Sequence, residues 1–125
     1  EGLRKFAMLA RLINTGVLMD KGYLFWDEPE TNLNPKLIKT LARSIVHLAA
    51  QGIQVFIATH SLFLLRELEM LLSDKTVREP VPVRYFGLSV VGQSIVLSQS
   101  EDVNDIGSIT SLEESLAQSD RYMDL

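Results

Sequence analysis

The 125-residue chain contains no cysteine. Disulfide scaffolds and thiolate metal sites are thereby excluded. Histidine is scarce, with only His47 and His60. His47 falls mid-helix among apolar positions and reads as structural. No apolar run reaches the roughly 18 residues a membrane span needs. Positive charge is not in excess: 12 Lys and Arg stand against 16 Asp and Glu, for a net charge of −4 and a pI near 5.1. That balance offers no electrostatic case for nucleic-acid binding by this stretch. Arg4, Lys5 and Arg11 form one small basic cluster, read as a solvated helix face. Repeats and low-complexity segments are absent.

What is present is ordinary for a soluble globular domain, with 46% hydrophobic and 22% charged residues. The length allows one domain at most, with a modest core. The densest chemistry lies in Tyr23 to Pro35, YLFWDEPETNLNP. Four apolar residues, Tyr23 to Trp26, run into Asp27 and Glu28. A short apolar run bounded by a proline predicts a buried parallel strand. Its acids then stand at the C-terminal end, where open α/β sheets hold ligands.

A second apolar, β-branched run, Ile53 to Thr59, ends at His60-Ser61. The segment between the two runs is helical by pattern. Asn34 suits the N-cap and Pro35 the first helical position. Leu37, Ile38, Leu41, Ile45 and Leu48 recur at helical spacing, and Gly52 is placed to end the helix. Strand, helix and strand make a βαβ unit, and the spacing from Glu28 to His60 meets the roughly 30 residues it requires. A right-handed crossover brings both strand ends to one edge. Asp27, Glu28 and His60 are therefore expected to converge.

These residues resemble the ABC-type ATPases. YLFWDE resembles their Walker B strand, ETNLNP their D-loop, and ATHS (Ala58 to Ser61) their switch-histidine loop. EGLRKFA resembles the end of their signature motif. The resemblance covers residues 1–72 and implies a cofactor pair, ATP and Mg²⁺. By it, Asp27 is the metal residue, Glu28 the catalytic base, and His60 the contact to the γ-phosphate. Gly2 of the signature, with Asn32 and Asn34 of the D-loop, would act on nucleotide across a homodimer interface. The Glu after the proline and the Asn-Leu-x-Pro core look more like the soluble RecF, SMC and OLD branch, and the ATP-binding proteins of bacterial defence and toxin systems, than like transporter subunits.

A competent phosphate loop needs G-x-x-x-x-G-K-[ST]. Seven glycines are present, and none is followed by lysine. The chain is thus expected to be the C-terminal portion, residues 1–125, of one ATPase domain whose N-terminal half carries Walker A, and to be inactive alone. The resemblance further implies a cytoplasmic protein, an attached effector protein or DNA as partner, and no membrane contact. Two rival readings are the ATP-binding subunit of a transporter and a non-catalytic dimerisation piece.

The fold class expected is α/β: a mostly parallel sheet with flanking helices and a C-terminal β-hairpin. An opening helix shows Leu3, Phe6, Ala7, Ala10 and Ile13 on one face and stops near Gly16. Ser61 can cap a helix carrying Leu64, Leu65, Leu68, Leu71 and Leu72. Pro80 and Pro82 mark a break. VRYFGLSV and SIVLS flank Val91-Gly92-Gln93 as a hairpin, expected to extend the sheet. Ser111 to Glu114 has capping-box spacing and opens a short helix with Leu112 and Leu116.

Overall fold

The computed structural model describes residues 2–74, 81–107 and 109–124, with Lys21 and Ser111 as backbone only. Glu1, Pro80 and the Ser111 side chain, which entered the sequence reading, lie outside it. The chain divides into two compact units, Glu1–Val81 and Pro82–Leu125.

In the first unit, helix α1 (Gly2–Asn14) and the short α2 (Val17–Lys21) lead into strand β1 (Tyr23–Asp27). Helix α3 (Pro35–Ala50) then crosses to strand β2 (Gln54–Ala58), and α4 (Leu62–Leu72) follows. β1 and β2 are parallel neighbours, with Trp26 opposite Ile57 and Asp27 opposite Ala58. The local signals act as expected. Asn34 Oδ1 accepts the Leu37 N–H at 2.9 Å, and Ser61 Oγ accepts the Leu64 N–H at 3.3 Å. Each side chain satisfies a donor that the first helical turn leaves open.

The core lies on one face of the strand pair. Ile38, Leu41, Ala42 and Ile45 of α3 pack with Leu64 and Leu68 of α4 against Trp26, Val55 and Ile57. Leu9, Leu18, Leu48 and Ile53 close a second cluster over Leu24 and Trp26. The opening helix departs from its expected face. Leu9 is buried and Phe6 and Leu12 half-buried, while Leu3, Ala7, Ala10 and Ile13 are exposed. The helix is one-sided, and the side that packs, Phe6, Leu9 and Leu12, is turned around the axis from the expected one. His47 also differs: it points to solvent between the buried Ile45 and Leu48.

The strands were expected to be buried, yet one face is bare. Tyr23, Phe25 and Asp27 of β1 and Gln54, Phe56 and Ala58 of β2 are exposed. Phe25 stacks on Phe56 with centroids 4.5 Å apart, and Tyr23 meets Phe25 edge-on at 5.7 Å. A parallel sheet is normally covered on both faces. The described residues provide only one of those layers.

The second unit holds the hairpin, β3 (Tyr85–Val91) and β4 (Ser94–Ser100), joined through Gly92 and Gln93. The hairpin is a separate two-stranded antiparallel sheet and does not extend β1–β2, contrary to expectation. Burial alternates along β3 from Tyr85 to Ser89 and along β4 only from Leu97 to Ser100, while the turn end of the hairpin is exposed on both faces. A 3₁₀ turn (Val103–Asp105) lies beside it, and Ser98 Oγ donates to the Ile106 carbonyl. Helix α5 (Thr110–Met123) is longer than the short helix expected, and Ile109 rather than Ser111 occupies its cap position.

Candidate functional site

The parallel register determines which side chains meet. Asp27 is the last residue of β1, opposite Ala58. The ladder continues one step further, because the Glu28 N–H donates to the Ala58 carbonyl at 2.8 Å. Glu28 is thereby held beside the Thr59-His60 turn. Glu28 Oε1 lies 2.8 Å from His60 Nδ1. With the proton on Nδ1, the imidazole donates to the carboxylate and keeps Nε2 free. Both side chains remain open, at 45% and 81% exposure for Glu28 and His60 respectively.

Glu28 adopts a left-handed backbone, φ 43°. Non-glycine residues enter this region at a cost of about 1–3 kcal/mol, and such residues cluster at functional sites. Here the conformation turns the chain sharply after the strand. Thr31 secures the turn, its hydroxyl donating to the Glu28 carbonyl at 2.8 Å. The Thr31 N–H donates to the same carbonyl at 3.1 Å.

Asp27 points to the bare face. Together with Phe25, Trp26, Phe56, Ile57 and Ala58 it lines an open depression of about 390 Å³. Among the described residues no group of three or more His, Cys, Asp or Glu could cage a metal ion. A single exposed carboxylate still suits Mg²⁺, which is usually held by one or two carboxylates and completes its shell with waters and phosphate oxygens.

Asn32 and Asn34 do not join this cluster through any polar contact. Asn34 is engaged in capping α3, and exposed Asn32 takes a left-handed φ of 63°. Gly2 opens α1 against the same turn. A Cβ on Gly2 would stand 2.8 Å from Leu33 Cδ2 and 3.3 Å from Leu37 Cδ1. Only hydrogen fits there without shifting those leucines.

Three residues escaped the sequence reading. Lys5, assigned to a solvated face, is half-buried, and its Nζ donates to the carbonyls of Pro29 (3.2 Å) and Thr31 (2.6 Å). Glu30 is 8% exposed, and its Oε1 accepts the Thr59 hydroxyl. Its Oε2 is buried with no hydrogen-bond partner among the described residues. Leaving such an oxygen unmet costs about 1–3 kcal/mol or more. Thr59 Oγ1 in turn accepts the Ser61 N–H at 3.0 Å. Glu30 did stand inside the recognised motif, but nothing local revealed its partner 29 residues away.

No curated protein matches the chain. Among solved structures it resembles one from work on the structural biochemistry of ATP-driven dimerization and DNA stimulated activation of SMC ATPases, with 13% identity and a TM-score of 0.56. The likeness covers 94% of this chain but 60% of that one, so the chain spans less than two thirds of that structure's length. At this identity the likeness shows the fold alone, that of part of a P-loop ATPase domain. A family model described as "AAA domain, putative AbiEii toxin, Type IV TA system" matches residues 1–66, just over half of the 125. That match runs through the acid pair and the histidine turn, and the chain belongs to this AAA-domain family.

Proposed function

We propose that this chain supplies the hydrolytic edge of an ATPase that works as a homodimer in the manner of the soluble RecF, SMC and OLD branch. The observation that carries the reading is the Glu28–His60 contact at 2.8 Å, one residue beyond exposed Asp27, at the C-terminal edge of a parallel strand pair. Magnesium, when bound with ATP, neutralises phosphate charge. Asp27 offers the carboxylate oxygen that holds the ion. Glu28 orients a water and takes its proton as it attacks. His60, doubly protonated, donates through Nδ1 to Glu28 and through Nε2 to the phosphoryl oxygens. Gly2 and the Asn32–Asn34 turn face the partner protomer's nucleotide.

The chain lacks the backbone amides and lysine of a phosphate loop, so it needs the half carrying Walker A. The bare aromatic face formed by Tyr23, Phe25 and Phe56 suits that role as the second layer's seat. ATP binding closes the dimer and hydrolysis releases it, driving an attached effector in the cytoplasm. For the SMC ATPases compared, DNA stimulates activation. Here the acidic balance directs such a contact to other parts of the protein, with DNA or an effector protein as partner. Among the described residues no helix is long and apolar enough to cross a membrane.

The test is Mg²⁺-dependent ATP turnover by the complete protein carrying Glu28→Gln or Asp27→Asn. Glu28→Gln should lose 10²–10⁴-fold in kcat, the usual worth of a positioned general base. ATP affinity should hold or rise, because one negative charge near the γ-phosphate is removed. Asp27→Asn should weaken Mg²⁺-dependent binding as well. Wild-type turnover by Glu28→Gln would sink the assignment.

A further inference from the structure

Glu30 has no part in the chemistry just described, yet it is the one acidic side chain among the described residues that is buried. Burying a carboxylate is costly unless it is fully paired. Here Oε1 is engaged by Thr59 and Oε2 by nothing described. Stability alone does not account for a carboxylate at this place.

Its connections suggest another role. Glu30 stands in the turn between the two residues whose carbonyls Lys5 grips, Pro29 and Thr31. The Leu33 N–H donates to the Glu30 carbonyl at 3.0 Å, which fixes its backbone. From this held position Glu30 reaches across to Thr59, and Thr59 Oγ1 receives the Ser61 N–H. Thr59 and Ser61 flank His60 on either side. His60 itself is 81% exposed, and its recorded polar contact is Glu28. Among the described residues only Glu28 makes a polar contact with the largely exposed imidazole, so its location depends on the backbone from Thr59 to Ser61.

We propose that Glu30 is a positioning residue which, through the Thr59 hydroxyl, holds the His60 turn at Glu28. The inference rests on the ATPase reading and deepens it. Glu28 and His60 come from separate loops, joined directly by one exposed ion pair. Beside the Glu28–Ala58 backbone bond, the Glu30–Thr59–Ser61 chain is a further, part-buried tie between those loops. A part-buried tie exchanges with water less readily than the exposed pair. Through Lys5 the tie extends to the first turn of α1, where Gly2 lies. A shift of α1 would therefore be felt at His60.

The experiment uses the complete ATPase, with kcat and ATP affinity measured separately. Thr59→Val is nearly isosteric and removes only the hydroxyl. It should lower kcat about 10- to 100-fold, the scale of a small misplacement of a reacting group, with ATP affinity little changed. Thr59→Ser should restore turnover. Glu30→Gln keeps an acceptor for Thr59 and should stay close to the wild-type rate, whereas Glu30→Ala should match Thr59→Val. The double variant Glu30→Ala/Thr59→Val should be no worse than either single one, because both break one unit. Hydrogen exchange supplies a readout apart from turnover: the Ser61 amide should exchange faster in Thr59→Val than in wild type.

If Thr59→Val turns over like wild type while Glu28→Gln does not, this inference falls and the ATPase reading stands. If Glu30→Gln is as damaged as Glu30→Ala, the charge and not the tie matters, and the inference is again overturned. A wild-type protein without turnover, or one indifferent to Glu28→Gln, overturns both.

Discussion

Replacing His60 with alanine separates function from folding more sharply than any other single change. The imidazole is 81% exposed and its recorded polar contact is Glu28, itself 45% exposed. An exposed ion pair contributes about 0–1 kcal/mol, and salt screens it. The imidazole is absent from both core clusters, so no cavity term is added. His60→Ala should therefore change folding stability by no more than about 1 kcal/mol. Turnover should respond very differently. If Nε2 serves a phosphoryl oxygen in the transition state, the loss is that of one aimed donor, about 10²–10³-fold in kcat, or roughly 2.7–4 kcal/mol. Two measurements on the complete protein decide this: a denaturant melt, and steady-state turnover at saturating ATP and Mg²⁺. Stability should hardly move while kcat collapses. A variant that melts several kcal/mol earlier would show that His60 does structural work absent from this geometry. A variant with intact kcat would refute its place in the chemistry.

Two further outcomes follow from other parts of the chain. Asn34→Ala should destabilise by about 1 kcal/mol, since the alanine cannot accept the Leu37 N–H, and Asn34→Asp should recover most of it in the same chemical-denaturation series. The 125-residue chain alone should show no ATP turnover above its Glu28→Gln control in a phosphate-release assay, because none of its seven glycines precedes a lysine; steady hydrolysis by it would remove the need for a separate phosphate loop.

Some features were legible because their causes are local. Asn34-Pro35 and Ser61 predict helix starts, and each cap bond forms within three residues. The α3 stripe of Ile38, Leu41, Ile45 and Leu48 is buried as its spacing predicts. Its apolar residues fall on one side, so only one packing is favourable. Two apolar runs separated by such a helix also predict parallel neighbours, since a helical crossover returns the chain to the same end of the sheet. The meeting of Glu28 and His60 is a direct consequence of that register.

The sequence by itself therefore determined the strand–helix–strand unit and the identity of the residues at its edge. Tertiary structure decided the rest. Leu3 and Leu9 are equally apolar, and only docking against Leu18 and Leu48 buries the second. The hairpin carried the pattern of a sheet strand, but backbone hydrogen bonds can close within two strands as well as join a third, and pattern does not choose. Lys5 read as a solvated charge and Glu30 only as a motif residue, because their partners lie 24 to 29 residues away. Whether a charge is solvated or tied depends on which backbone carbonyl or hydroxyl the fold carries to it, and periodicity holds no record of that distance.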